Sequence, residues 1–130
     1  MMRPTNLKSR IFLDSGDPAE TKQIIELLGF LDGQTTNPTL VAKNPYARER
    51  FEKGEKFTET EIYEFYKQVV TDISALIPEG SVSIEVYADA QTTSEAMFIQ
   101  GKEMATWIPN AHIKYPIIPA GLAAAEQSIA

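Results

Sequence analysis

Cysteine is absent from this chain of 130 residues, which removes disulfides and thiolate metal sites, and its single histidine, His112, makes a histidine-based metal centre improbable. Lys and Arg nowhere form a dense run. With a formal net charge of −6 and a pI near 4.8, the chain offers no surface suited to nucleic acid or to an anionic membrane, so an anionic substrate must be held by local groups. No apolar stretch reaches the roughly 18 residues of a membrane span, and Met1-Met2-Arg3-Pro4-Thr5-Asn6 leads into no apolar signal segment. The chain therefore reads as soluble and cytoplasmic. Gly33 stands alone, without the glycine-rich loop that cradles nucleotide phosphates. What the chain does have is a hydrophobic content of 43%, enough for one core, and a length that leaves little room for two, so residues 1–130 are taken as a single domain.

Strand and helix signals alternate along it. Arg10 to Ser15 is short and apolar and stops at Gly16, as a buried strand would, with Asp14 at its carboxyl end. Asp17-Pro18-Ala19-Glu20 combines an acidic cap, a first-turn proline and a glutamate three residues after the cap, opening a helix that runs to Leu28 and closes on Gly29. Phe30 to Asn37 predicts a second strand with Thr35 and Asn37 on one face, and Pro38 to Lys43 a further helical segment. Taken alone, Asn37 in Thr-Thr-Asn-Pro reads first as a helix cap. Asn44 to Phe57 mixes both charge signs with Gly and Pro and predicts a solvated loop. The capping box Thr58-Glu59-Thr60-Glu61 precedes Ile62, Phe65, Tyr66, Val69, Val70, Ile73, Leu76 and Ile77 at helical spacing, a stripe that amphipathic packing explains fully. Ser81 to Tyr87 alternates as a third strand, with Ser81, Ser83 and Glu85 on one face. Thr92-Thr93-Ser94-Glu95 reads as another capping box, opening a helix that carries Ala96, Ile99, Met104, Ala105 and Trp107. After Pro119, Ala120 to Ala130 has strong helix propensity.

Between these helices lies Ala111 to Ile118, an apolar run with a lysine in its middle. As a strand it places His112 and Lys114 on one face and Ile113, Tyr115 and Ile117 on the other. Lys114 is either an edge-strand lysine in water or an amine looking into a cleft, where partial loss of hydration would free it to attack a carbonyl. Four strands each followed by a helical segment imply a parallel α/β sheet joined by right-handed crossovers. In such folds functional groups gather at the carboxyl ends of the strands, and here Asp14, Asn37, Glu85 and Lys114 occupy four such ends. Cleavage of a carbon–carbon bond beside a ketone needs an electron sink, which a protonated imine on Lys114 supplies, and a base, which Asp14 can be; it needs no metal and no other cofactor.

The motifs Ile11-Phe12-Leu13-Asp14-Ser15, Leu31-Asp32-Gly33-Gln34-Thr35-Thr36-Asn37-Pro38-Thr39-Leu40, Ser83-Ile84-Glu85-Val86 and Ile113-Lys114-Tyr115-Pro116, in this order, resemble those of the transaldolase family, including its small fructose-6-phosphate-aldolase-like members. The resemblance implies the first half of a (β/α)8 TIM barrel, cut after strand four and the start of helix four, since a whole barrel takes about 250 residues. It implies Lys114 as the Schiff-base lysine, Asp14 as the acid/base at the hydroxyl beside the breaking bond, and Glu85 as the carboxylate working through a water. Asn37 and Thr35 match contacts to the dihydroxyacetone part of the substrate. Glutamate at position 85 leans towards true transaldolases of the pentose phosphate pathway, where the aldolase-like members carry glutamine. The implied ligands are sugar phosphates. Four strands alone would leave two free edges and an uncovered face, which predicts either a fragment of a larger barrel or a homo-oligomer. A Schiff-base aldolase and a catalytically silent half-barrel remain as alternatives.

Overall fold

In the computed structural model, residues 3–130 are described; Met1 and Met2, the first residues of the N-terminal stretch read above, lie outside the described residues. Four parallel strands, β1 (Phe12–Asp14), β2 (Gly33–Thr35), β3 (Ser81–Glu85) and β4 (Ala111–Lys114), form one sheet in the order β1-β2-β3-β4. The register pairs Asp14 with Thr35, Thr35 with Ser83, and Glu85 with Lys114. Helices fill the crossovers, α1 (Pro18–Leu28), α2 (Pro38–Ala42), α3 (Pro45–Glu52), α4 (Glu59–Leu76) and α5 (Ser94–Met104), and α6 (Pro119–Ile129) follows β4. The predicted class is what is found, the first half of a TIM-barrel-like α/β fold.

Local chemistry sets the element ends. Asp17 accepts from Ala19 N at 2.9 Å to start α1, and Gly29, at φ 82°, closes it with its N–H on Ile25 O. The α4 capping box forms in both directions, Glu61 N to Thr58 Oγ1 at 3.2 Å and Thr58 N to Glu61 Oε1 at 3.3 Å. Behind it Tyr66, Val69, Val70, Ile73 and Ile77 pack against Val82, Ile84 and Val86 of β3 and its extension, with Met97, Met104, Ile108 and Ala124 completing the core. The helices thus cover the sheet face of Gln34, Val82, Ile84 and Ile113. The opposite face carries Phe12, Asp14, Thr35, Ser83, Glu85, His112 and Lys114, none of them fully buried.

Several expectations are corrected. Pro45–Glu52 is helix, not loop, because Asn44-Pro45 repeats the cap-and-proline start of Asn37-Pro38: Asn44 Oδ1 accepts from Tyr46 N at 3.0 Å, and Ala47 is buried. Thr92 does not cap α5. Thr93 does, accepting from Ala96 N, so Glu95 falls one position short of a capping box, while Thr92 closes a turn on Asp89. The buried stripe of α5 is Met97, Gly101 and Met104, and Ile99 is exposed. The lysine strand ends at Lys114, since Pro116 has no N–H to extend the ladder, and Ile117 is 90% exposed instead of sharing a face with Ile113.

Candidate active site

Asp14 takes the last position of β1, where the ladder to β2 closes with Ser15 N–H donating to Thr35 O at 3.1 Å. Its pair across the register is Thr35, whose hydroxyl donates to Asp14 Oδ1 at 2.6 Å. The second pair, Glu85 and Lys114, sits two residues further along the sheet, with Lys114 Nζ 3.3 Å from Glu85 Oε2. Both side chains are partly open, Lys114 at 36% and Glu85 at 27%. Four of the five residues singled out in the sequence therefore share the face away from the helices, as two hydrogen-bonded or ion-paired couples.

Asn37 does what its capping reading predicts: Oδ1 accepts from Leu40 N at 2.8 Å and starts α2. Among the described residues Nδ2 has no protein acceptor, and Asn37 lines a cleft of about 480 Å³ with Lys43, Glu85, Tyr87 and Pro116. Asp14 lines a separate cleft of about 260 Å³ with Ser15, Asn44 and Arg48, and Lys43 and Leu40 border both. Helix α2 thus stands between the two, while Thr35 and Lys114 line neither. A third cleft, of about 340 Å³ between α2, α3 and α4, is walled by Val41, Phe51, Phe57 and Phe65 and has only Lys56 as a charged group, so it lacks the polar contacts a sugar phosphate needs.

Sequence reasoning overlooked the polar groups behind these side chains. Gln34 and Thr36 alternate with Thr35 and so point into the helix layer, fully buried. Gln34 takes the Thr21 hydroxyl at 2.6 Å and donates to Ser15 O at 2.8 Å, tying the loop after β1 to β2. Thr36 donates to Ser83 O at 2.6 Å and meets the Tyr66 hydroxyl at 2.7 Å, which in turn accepts from Glu85 N at 3.0 Å. Burial pushes the Tyr66 phenol up to about 12, the hydrogen bond donated by the Glu85 amide working against that rise. A tyrosine in a buried stripe must find a partner for its hydroxyl, and that was the available signal.

This sheet, with one hydrogen-bonded and one ion-paired couple at its strand carboxyl ends, has the architecture of a parallel α/β barrel unit, a class whose functional groups gather on the loop face. The family model for Transaldolase/Fructose-6-phosphate aldolase matches residues 11–130, and the chain belongs to that family. Curated relatives include proteins named "Probable transaldolase" from Dehalococcoides mccartyi, 40% identical over 113 residues (87% of this chain, 43% of the relative), and from Streptococcus agalactiae, 32% identical over 118 residues (91% and 44%). A third, of the same name, from Leptospira biflexa, is 37% identical over 123 residues (92% and 47%). The chain spans less than half the length of these relatives.

Proposed function

We propose that residues 1–130 form a single partial barrel domain with the chemistry of a transaldolase, moving a dihydroxyacetone unit from a ketose phosphate to an aldose phosphate through a Schiff base on Lys114, in the cytoplasm and within the pentose phosphate pathway. The observation that carries this reading is the Glu85–Lys114 couple at 3.3 Å on adjacent strand ends of the open face. An amine that forms an imine must lose protons and the carbonyl oxygen must gain them to leave as water, so a carboxylate beside Nζ serves both halves of the step. With the imine formed, Asp14 takes the proton of the hydroxyl beside the breaking bond. The electron pair of that bond moves into the imine as an enamine, and an aldehyde departs. Addition of the enamine to an acceptor aldehyde and hydrolysis of the new imine return free Lys114. Thr35, donating to Asp14 Oδ1 at 2.6 Å, orients that carboxylate, and Asn37 Nδ2 offers a donor to the dihydroxyacetone oxygens. No cofactor enters these steps.

The relatives named for transaldolase activity and the glutamate at position 85 favour transfer over simple aldol cleavage. Borohydride added with fructose 6-phosphate is expected to leave a stable adduct on Lys114, located by peptide mapping. Label spread over Lys43, Lys53 and Lys102 would remove Lys114 from its role, and absence of any label would leave the silent half-barrel. Transfer is told from cleavage by dependence of product formation on an added acceptor aldehyde.

A further inference from the structure

Glu85 ends β3 at a point where its strand partner has already left. Thr36 N–H still donates to Ser83 O at 3.2 Å, but at Asn37 the β2 chain turns to cap α2. Continued in register, the parallel ladder would give Glu85 N–H a carbonyl of β2; instead that N–H meets the hydroxyl of Tyr66, delivered from α4 at 3.0 Å.

The direction of each bond in this group is determined by proton counting. A threonine hydroxyl has one proton, and that of Thr36 goes to Ser83 O at 2.6 Å. The 2.7 Å contact between Thr36 Oγ1 and Tyr66 OH is then a donation by Tyr66, whose remaining acceptor capacity takes Glu85 N–H. The relay Glu85 N–H to Tyr66 O–H to Thr36 O–H to Ser83 C=O is complete, and it closes a ring across β2 and β3. Tyr66 and Thr36 are both 0% exposed, so water cannot replace either link. On the other edge of β3, Val86 N–H donates to Lys114 O at 3.2 Å, which couples the same strand end to the backbone of the lysine.

We infer that Tyr66 is a positioning residue for Glu85: its buried hydroxyl and that of Thr36 replace the missing strand contact and hold the Glu85 backbone so that its carboxylate meets Lys114 Nζ. This deepens the proposed imine chemistry and rests on it. The hydroxyl does not touch substrate. Its effect is confined to steps in which Glu85 serves Lys114, that is, imine formation and hydrolysis.

The test compares Tyr66→Phe with Ile73→Val, a substitution on the same helix that loosens the core and leaves the relay intact. In the resting protein, Tyr66→Phe should raise hydrogen exchange at the Glu85 amide relative to that at Val86, whereas Ile73→Val should not. With fructose 6-phosphate and borohydride, Tyr66→Phe should slow adduct formation at Lys114 by about 10- to 100-fold, the scale for small misplacement of a reacting group. Ile73→Val should stay near wild type. Thr36→Val and Thr36→Ser supply a second pair should Tyr66→Phe not fold: the valine variant is expected to be slow and the serine variant, which keeps the hydroxyl, to be restored. Wild-type trapping with an equal rate in Tyr66→Phe, or in Thr36→Val, overturns the positioning role alone. No trapping in wild type overturns the imine reading, and the positioning role with it.

Discussion

Asp32 shows how a single carboxylate in a family motif can be structural. It accepts Ile11 N–H at 2.8 Å and the Arg3 guanidinium at 2.8 Å, holding the entry to β1 against the entry to β2. The Ile11 amide is the main reason its pKa lies below its ordinary value, with Arg3 adding to it against the opposing effect of burial. Because the folded value lies below the unfolded one, the stabilisation is fully present above the unfolded pKa and is lost as pH falls through the folded pKa. Wild type should therefore melt above Asp32→Asn near neutral pH, and the gap should close below about pH 4. A constant gap in melting temperature across an acid series would refute that linkage. The site carboxylates call for a different measurement. Asp14→Ala should leave borohydride trapping intact while carbon–carbon cleavage falls by roughly 10²- to 10⁴-fold, whereas Glu85→Ala should slow trapping itself. Equal loss of both steps in both variants would show that the two carboxylates do not divide the work.

Helices α3 and α6 show the same economy at the scale of elements. Asn44 caps α3 through Oδ1 and, through Nδ2, donates to Gly16 O at 3.1 Å, so the segment after α2 braces the loop that follows Asp14. Asn44→Ala loses both bonds and should cost about 1–3 kcal/mol, read as a lower urea midpoint. An unchanged midpoint would mean that α3 is held by Ala47 and by Arg50 to Glu61 at 2.9 Å alone. In α6, a Cβ at Gly121 would stand 1.9 Å from Pro116 O, a backbone atom that cannot swing aside. This contact seats the start of α6 against the segment that leaves the lysine strand. Gly121→Ala should shift that helix and destabilise by about 1–3 kcal/mol, the range for overpacking. Nothing in the alanine-rich run around Gly121 signals such a close approach, because it depends on where Pro116 lies in space.

For the whole molecule the decisive feature is the difference between the two faces of the sheet. One carries the packed core; the other leaves Phe12 48% exposed at one edge and His112 exposed at the other, and among the described residues β1 and β4 have unpaired outer edges. Ile117, Leu122 and Ile129 add exposed apolar surface near β4 and along α6. Among the described residues no helix is long and apolar enough to cross a membrane, so a lipid bilayer spanned by helices does not account for these groups. We propose that the 130-residue chain covers them by pairing with a second copy. Light scattering over a concentration series should show a dimer or larger species at micromolar concentration. A monodisperse monomer with a cooperative melt would mean that the open face is tolerated as it stands.

The alternating strands and helices, the helix caps of α1 and α4 and the strand-end places of Asp14, Glu85 and Lys114 were legible in the sequence, because each follows from periodicity or from contacts within a few residues. The amphipathic stripe of α4 was legible too, though only as packing. Helix α3 was missed because its mixed charges hid a cap-and-proline start, and the face of α5 because Ile99 outweighed Met97 in the reading. Tertiary structure alone decided that Thr35 serves Asp14, that Asn37 and Glu85 share a cleft while Asp14 lies in another, and that Tyr66 stands in for a strand at Glu85. Those contacts join residues 19 to 48 positions apart, and which of them meet is set by strand register and helix seating, which no local pattern encodes.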